Sequence, residues 1–119
     1  MSTPIDVLTT IEITVGDTGI TLSGQLNGGG LTTLAGATIT LSLLGIDEQL
    51  RLTGRDRLTT ASATLTDGPN RKVSYKLQAA DVATPGRFAI RWTVTLPAGA
   101  GDVHVPGPKG QYVILQINA

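Results

Sequence analysis

The sequence contains no cysteine. That excludes a disulfide framework, a thiol nucleophile and a cysteine-built zinc or iron–sulfur site. Aromatic residues are scarce: Tyr75, Phe88, Trp92 and Tyr112 are the full set, too few for a base-stacking platform. Charge of either sign is in balance, with nine basic and nine acidic side chains. A neutral chain has no net field to gather phosphate backbones, so no nucleic-acid partner is expected. Long apolar runs are missing as well. No stretch approaches the roughly 20 residues that a membrane helix needs, so no membrane partner is expected either. The first residues, MSTPIDVLTT, lack the basic region and apolar run of a signal peptide.

What the chain has in abundance is alternation. Its 119 residues suit one domain, with a core large enough to need no staples. Apolar and polar residues alternate with period two in six stretches, as half-buried strands do. Ile11, Ile13 and Val15 form one series, and Ile20, Leu22 and Leu26 another. Ala37 to Leu43, Ala61 to Leu65, Val73 to Leu77 and Phe88 to Leu96 continue the pattern. Trp92 falls in phase with its apolar neighbours and is expected in the core. Threonine fills many of the polar positions, where a β-branched side chain fits the pleat.

The last stretch, QYVILQI from 111 to 117, breaks the rule. Val113, Leu115 and Ile117 occupy one face, and Tyr112 and Ile114 the other. Such a strand is either central or meets a partner with its second face. A short extra strand around Leu50 and Leu52 is also compatible with the pattern. Turn-forming clusters separate the runs: Gly16-Asp17-Thr18-Gly19, Asn27-Gly28-Gly29-Gly30, Asp67-Gly68-Pro69-Asn70, and the Pro/Gly segments flanking His104. Only Ala79 to Ala83 reads as helical, for one turn at most. The expected fold is all-β: an antiparallel, immunoglobulin-like β-sandwich of seven or eight short strands. It spans residues 10–119, behind a short N-terminal arm at 1–9. Ile5, Val7 and Leu8 of that arm are able to pack on this chain or on a neighbour.

One motif invites a catalytic reading. Asp17-Thr18-Gly19 is the triplet that aspartic proteases carry, and Gly54-Arg55-Asp56 lies downstream. Such an enzyme needs two carboxylates sharing a proton, so a one-triplet chain must dimerise. The surroundings argue otherwise. Gly16 stands where an apolar residue is needed before the Asp, and Ile20 where a small residue is needed after the Gly. The separation from Asp17 to Gly54 is short, and Thr53 fits poorly before Gly54. The simpler expectation is that Asp17 caps a tight turn and that Gly54 to Arg57 is a charged loop tip in solvent.

No other constellation selects a chemistry. His104 is the only histidine and reads as a surface residue. Gly28-Gly29-Gly30 lacks the helix and lysine of a phosphate loop. Asp47-Glu48 and Asp67 lack the alternating oxygen ligands of a calcium loop. Arg51, Arg55 and Arg57 read as a solvated basic face, with a salt-bridging interface as the alternative. No catalytic residue, cofactor or metal is expected.

Taken in order, several segments resemble a known family. Gly16 to Gly19 with Ile20-Thr-Leu is followed by Leu34-Ala-Gly-Ala-Thr-Ile-Thr-Leu, then Val73-Ser-Tyr, Ala80-Asp-Val-Ala-Thr-Pro-Gly-Arg-Phe and Gly110-Gln-Tyr-Val-Ile-Leu-Gln-Ile. This order is similar to the β-sandwich domain at the N-terminus of phage baseplate upper proteins, also found in small stand-alone virion proteins of tailed phages. The resemblance covers residues 10 to 117. The Gly45 to Arg57 loop is longer than in that pattern, and the Gly28 to Thr33 stretch is shorter and uncharged. The resemblance implies a non-enzymatic structural role in a phage particle: a head decoration, connector, or tail or baseplate component. It implies a virion location, assembly in the host cytoplasm, and contacts with other virion proteins and with copies of itself, as a trimer or hexamer. The candidate subunit interface is Ile5, Val7, Leu8, Tyr112 and Ile114. On that reading, deleting residues 1 to 9 weakens assembly without unfolding the sandwich. Two other readings stay open: an immunoglobulin-like module binding a host-surface glycan or protein through its loops, and a dimeric aspartic protease using Asp17.

Overall fold

The structure, a computed structural model, describes residues 4–26, 31, 33–99, 101–106 and 110–119; of these, the side chains of 58–60 and 98 are not described. Gly28-Gly29-Gly30 and residues 107–109 therefore lie outside the described residues. The chain is all-β, as the alternation predicts. Its strands are β1 (Asp6–Thr14), β2 (Thr21–Gln25), β3 (Thr38–Gly45), β4 (Leu58–Ser62), β5 (Thr64–Asp67), β6 (Lys72–Lys76), β7 (Gly86–Thr95), β8 (Asp102–Val105) and β9 (Gln111–Asn118).

They form two layers. A six-stranded sheet runs β1-β9-β7-β3-β4, with β8 also on β7, and a three-stranded sheet runs β2-β6-β5. Strand β9 pairs Gly86 to Ile90 of β7, and β8 takes over the same edge from Trp92 to Thr95. The inward residues of both sheets make the main core: Leu41, Leu43, Ile90, Trp92, Val94 and Leu115 from the large sheet, Leu22, Val73 and Tyr75 from the small one. All but Leu115 fall on the apolar face by period two; Leu115 belongs to the strand with two apolar faces, and the structure turns it inward.

Three features differ from the expected strand pattern. The run around Ala61 to Leu65 is two strands: β4 belongs to the large sheet and β5 to the small one, and the chain crosses between layers at Ala63. Alternation survives the crossing because the inner faces of the two sheets look at each other, so it carries no mark of the switch. Strand β8 is additional, formed by the short piece holding His104. Finally, β1 runs parallel to β9 within an otherwise antiparallel sandwich. The one predicted helical turn is a 3-10 turn, α1 (Ala79–Val82), and the extra strand near Leu50 is a single bridge between Ile46 and Leu52.

Of the segment expected as an arm, residues 6 to 9 are strand. β1 begins at Asp6 and pairs β9 from Asp6↔Gln111 to Thr14↔Asn118, with a bulge between Val7 and Thr9. The outer face of the large sheet carries a second apolar cluster of Leu44, Ile46, Ala89, Tyr112 and Ile114, with Ile5, Val7 and Leu50 packed on it. Backbone joins these coverings, because Ile5 N–H donates to the Leu50 carbonyl at 2.8 Å. The long Gly45 to Arg57 loop thus has a structural use: it folds back over the face that the two-sided β9 leaves apolar.

Candidate functional site

The Asp17 triplet forms a turn. Asp17 Oδ2 accepts from Thr14 N–H at 2.9 Å, and Asp17 N–H donates to the Thr14 carbonyl at 3.0 Å. Gly16 takes φ +91°, a left-handed value that favours glycine. Asp17 is exposed, on a turn anchored by Gly16 N–H on the Val82 carbonyl. The carboxylate caps the turn, as the two flanking glycines suggest.

The Gly54 to Arg57 segment is only partly the solvated tip that was expected. Gly54 and Arg55 are exposed, but Asp56 Oδ1 accepts from Gly45 N–H at 3.2 Å. Arg57 turns inward. Its guanidinium donates to the Asp81 carbonyl at 2.8 Å, the Thr84 carbonyl at 2.9 Å and Thr84 Oγ1 at 2.7 Å. Its Cζ stands 4.4 Å from the centroid of Phe88. A rigid fork serves three acceptors and stacks on a ring, which a lysine cannot reproduce. Arg51 is likewise committed, with Nε 3.2 Å from Asp47 Oδ2. The three arginines are therefore not one basic face.

Beneath Arg57 lies a polar pair that period two does not reveal. Tyr75 donates to Asp81 Oδ2 at 2.6 Å, and the same oxygen accepts from Gln78 N–H at 2.8 Å. Asp81 is 3 % exposed and caps α1. Burial, followed by the Asp81 carboxylate beside it, pushes the Tyr75 hydroxyl well above the usual tyrosine range. The spacing of Gln78 and Asp81, three apart at the start of a short helix, is the one sequence signal of this arrangement. Asp47 has a different environment. Its carboxyl is held below the usual range, first by the Arg51 backbone N–H and also by the Arg51 charge and the Gln49 N–H. His104 sits on the surface with Nδ1 3.1 Å from Thr93 Oγ1. Among the described residues no group of three His, Asp or Glu side chains is placed to hold a metal, and no helix is long and apolar enough to cross a membrane.

The candidate interface residues separate into two sets. Tyr112 and Ile114 are 7 % and 0 % exposed, covered by this chain's own Ile5, Val7, Ile46 and Leu50. The second apolar face of β9 is filled internally. Leu8 is different. It is the bulge residue of β1, 61 % exposed, and it stands at a groove of about 320 Å³ between the layers. Leu26, Ile90, Trp92, Val105 and Val113 line that groove with Ser23, Gly24, Gln25, Pro106 and Gln111, and none of these carries a charge. Sequence reasoning named Leu8 but not the groove, because its walls come from strands far apart in the chain. The groove offers apolar area and backbone edges, and no charged side chain lines it. No family model, curated protein or solved structure matches this chain.

Proposed function

We propose that the protein is a non-enzymatic structural component of a tailed-phage particle, a head decoration, connector, or tail or baseplate protein, assembled in the host cytoplasm and acting through repeated contacts with copies of itself and other virion proteins. The observation that carries this reading is Leu8: the most exposed of the large apolar side chains described stands on an open sheet edge, at the mouth of an uncharged groove. Such a surface suits coverage by protein, and symmetric copies multiply a weak contact of this kind. The order of turn and strand motifs from Gly16 to Ile117 supports the same reading by resemblance.

The test is direct. Purified tailed-phage particles from the host carrying this gene are analysed by quantitative mass spectrometry. The expected result is the chain at a fixed ratio to the major structural proteins, the ratio giving its symmetry. Particles that lack the chain overturn the proposal.

A further inference from the structure

Strands β1 and β9, far apart in the chain, pair directly with each other. They run parallel over eight rungs, from Asp6↔Gln111 to Thr14↔Asn118. Val15 N–H adds a bond to the Asn118 carbonyl at 2.8 Å, just past the last rung. Gln116 Nε2 donates to Glu12 Oε1 at 3.3 Å across the same pair. Pro4 lies before the first rung and Ala119 after the last. These two residues therefore stand at opposite ends of one ladder. That arrangement decides how the ladder meets tension. Pulling residue 4 away from residue 119 draws β1 toward its first rung and β9 toward its last. The strands are then pulled along their axes in opposite directions, and the evenly spaced bonds of a parallel pair share the pull. In an antiparallel pair the two points would lie at one end, and the rungs would open one after another.

We infer that the β1–β9 ladder is a shear clamp, through which this protein carries tension along its chain. Side chains key the register on both faces. Ile11 and Ile13 pack with Leu115 and Ile117 in the main core, while Val7 packs on the outer cluster of Tyr112 and Ile114. A slip of one residue turns each of them to the wrong face, so β1 cannot creep along β9 and re-form one step on. The path is also short. Among the described strands β1 pairs with β9 alone, so the pull passes from one to the other directly. The small sheet, with Tyr75 and its partner Asp81, stays outside that path until the ladder breaks. The inference concerns how the fold meets force and does not rest on the virion reading.

The test holds single molecules of the full chain at constant force. The sequence has no cysteine, so engineered thiols alone fix the handles, and Pro4, Gln111 and Ala119 are all exposed. Pro4→Cys with Ala119→Cys pulls the ladder in shear. Pro4→Cys with Gln111→Cys pulls the same ladder from one end. The folded lifetime under force reports the unfolding rate, and at equal force it is expected to be at least about tenfold longer in the first pair. Two substitutions in that pair trace the path. Ile11→Ala, on the ladder, is expected to shorten the lifetime about fivefold or more, and Tyr75→Phe, away from it, to change it less than about twofold. Should Ile11→Ala fail to fold, Ile11→Val takes its place. Equal lifetimes in the two pulling directions overturn the inference. So does a Tyr75→Phe lifetime as short as that of the Ile11 variant. Either result leaves the virion reading standing, because presence in particles is measured separately.

Discussion

The Tyr75 hydroxyl and the Asp81 carboxylate meet at 2.6 Å inside the protein. One is on β6 and the other at the end of α1's first turn, and the bond ties the small sheet to the connection that leads into β7. Arg57 reaches the same turn from the opposite side through the Asp81 carbonyl. Tyr75→Phe is expected to cost about 1–2 kcal/mol, and Asp81→Ala about 2–3 kcal/mol, because the latter loses the cap and leaves the tyrosine hydroxyl unpaired. Urea unfolding of the two variants measures this order. Equal costs would remove the capping role from Asp81.

The same pair sets a limit at alkaline pH. The folded protein holds the Tyr75 hydroxyl above its ordinary value of 10.0. A group whose folded pKa is raised contributes stability that is complete below its unfolded pKa and is lost as pH rises toward the folded one. Wild type is therefore expected to lose stability above about pH 10, relative to Tyr75→Phe, with no difference in trend between pH 6 and 9. Parallel urea melts of both proteins across this range check the sign. A gap that widens in the acid range instead would contradict it.

Arg57 makes a sharper demand on side-chain shape. It supplies three hydrogen bonds to Asp81 and Thr84 and stacks on Phe88. Arg57→Ala is expected to destabilise by about 2–3 kcal/mol, and Arg57→Lys to recover less than half of that. Gly86 belongs to the same unit, because a Cβ there would lie 2.8 Å from the Phe88 ring. Gly86→Ala is expected to cost about 1–3 kcal/mol through displacement of that ring. Thermal melts suffice for all three variants, and a neutral Gly86→Ala would mean that the ring moves freely.

These residues also mark where sequence reading stops. Strand positions were legible because period two is a local property, and Trp92, Leu41 and Val94 fell inward as expected. Turn chemistry was equally local, so Asp17 could be read as a cap from its two glycine neighbours. Arg57 was not legible. Its acceptors sit more than twenty residues away, and a Gly-Arg-Asp-Arg segment has the composition of a solvated tip. The layer switch at Ala63 and the groove at Leu8 share that cause: both depend on which strands become neighbours. Tyr75 was half legible, its ring in phase with the core and its hydroxyl partner hidden in the fold.

Asp17 separates a turn cap from a catalytic acid. As a cap, its oxygen accepts from Thr14 N–H, which an asparagine also does. Asp17→Asn is expected to be nearly neutral in stability and Asp17→Ala to cost about 1 kcal/mol. Acid-optimum cleavage of a peptide substrate that vanishes in Asp17→Asn, with stability intact, would instead assign the carboxylate a catalytic task.

The N-terminal segment yields the clearest change from the sequence expectation. As an arm that serves assembly, residues 1 to 9 should be removable without unfolding the sandwich. In the structure Ile5 and Val7 cover Leu44, Ala89, Tyr112 and Ile114, and Asp6 to Thr9 form the first half of β1. Deleting residues 1 to 9 therefore exposes an apolar cluster and shortens a parallel pair. The expected loss is about 2–4 kcal/mol, from the area uncovered and the contacts removed. Deleting residues 1 to 4 spares all of these contacts and is expected to cost under about 0.5 kcal/mol. Urea unfolding of both truncations, run beside Ile5→Ala, locates the loss: it belongs to the covering side chains if Ile5→Ala reproduces a good part of it, and to the strand pairing if it does not.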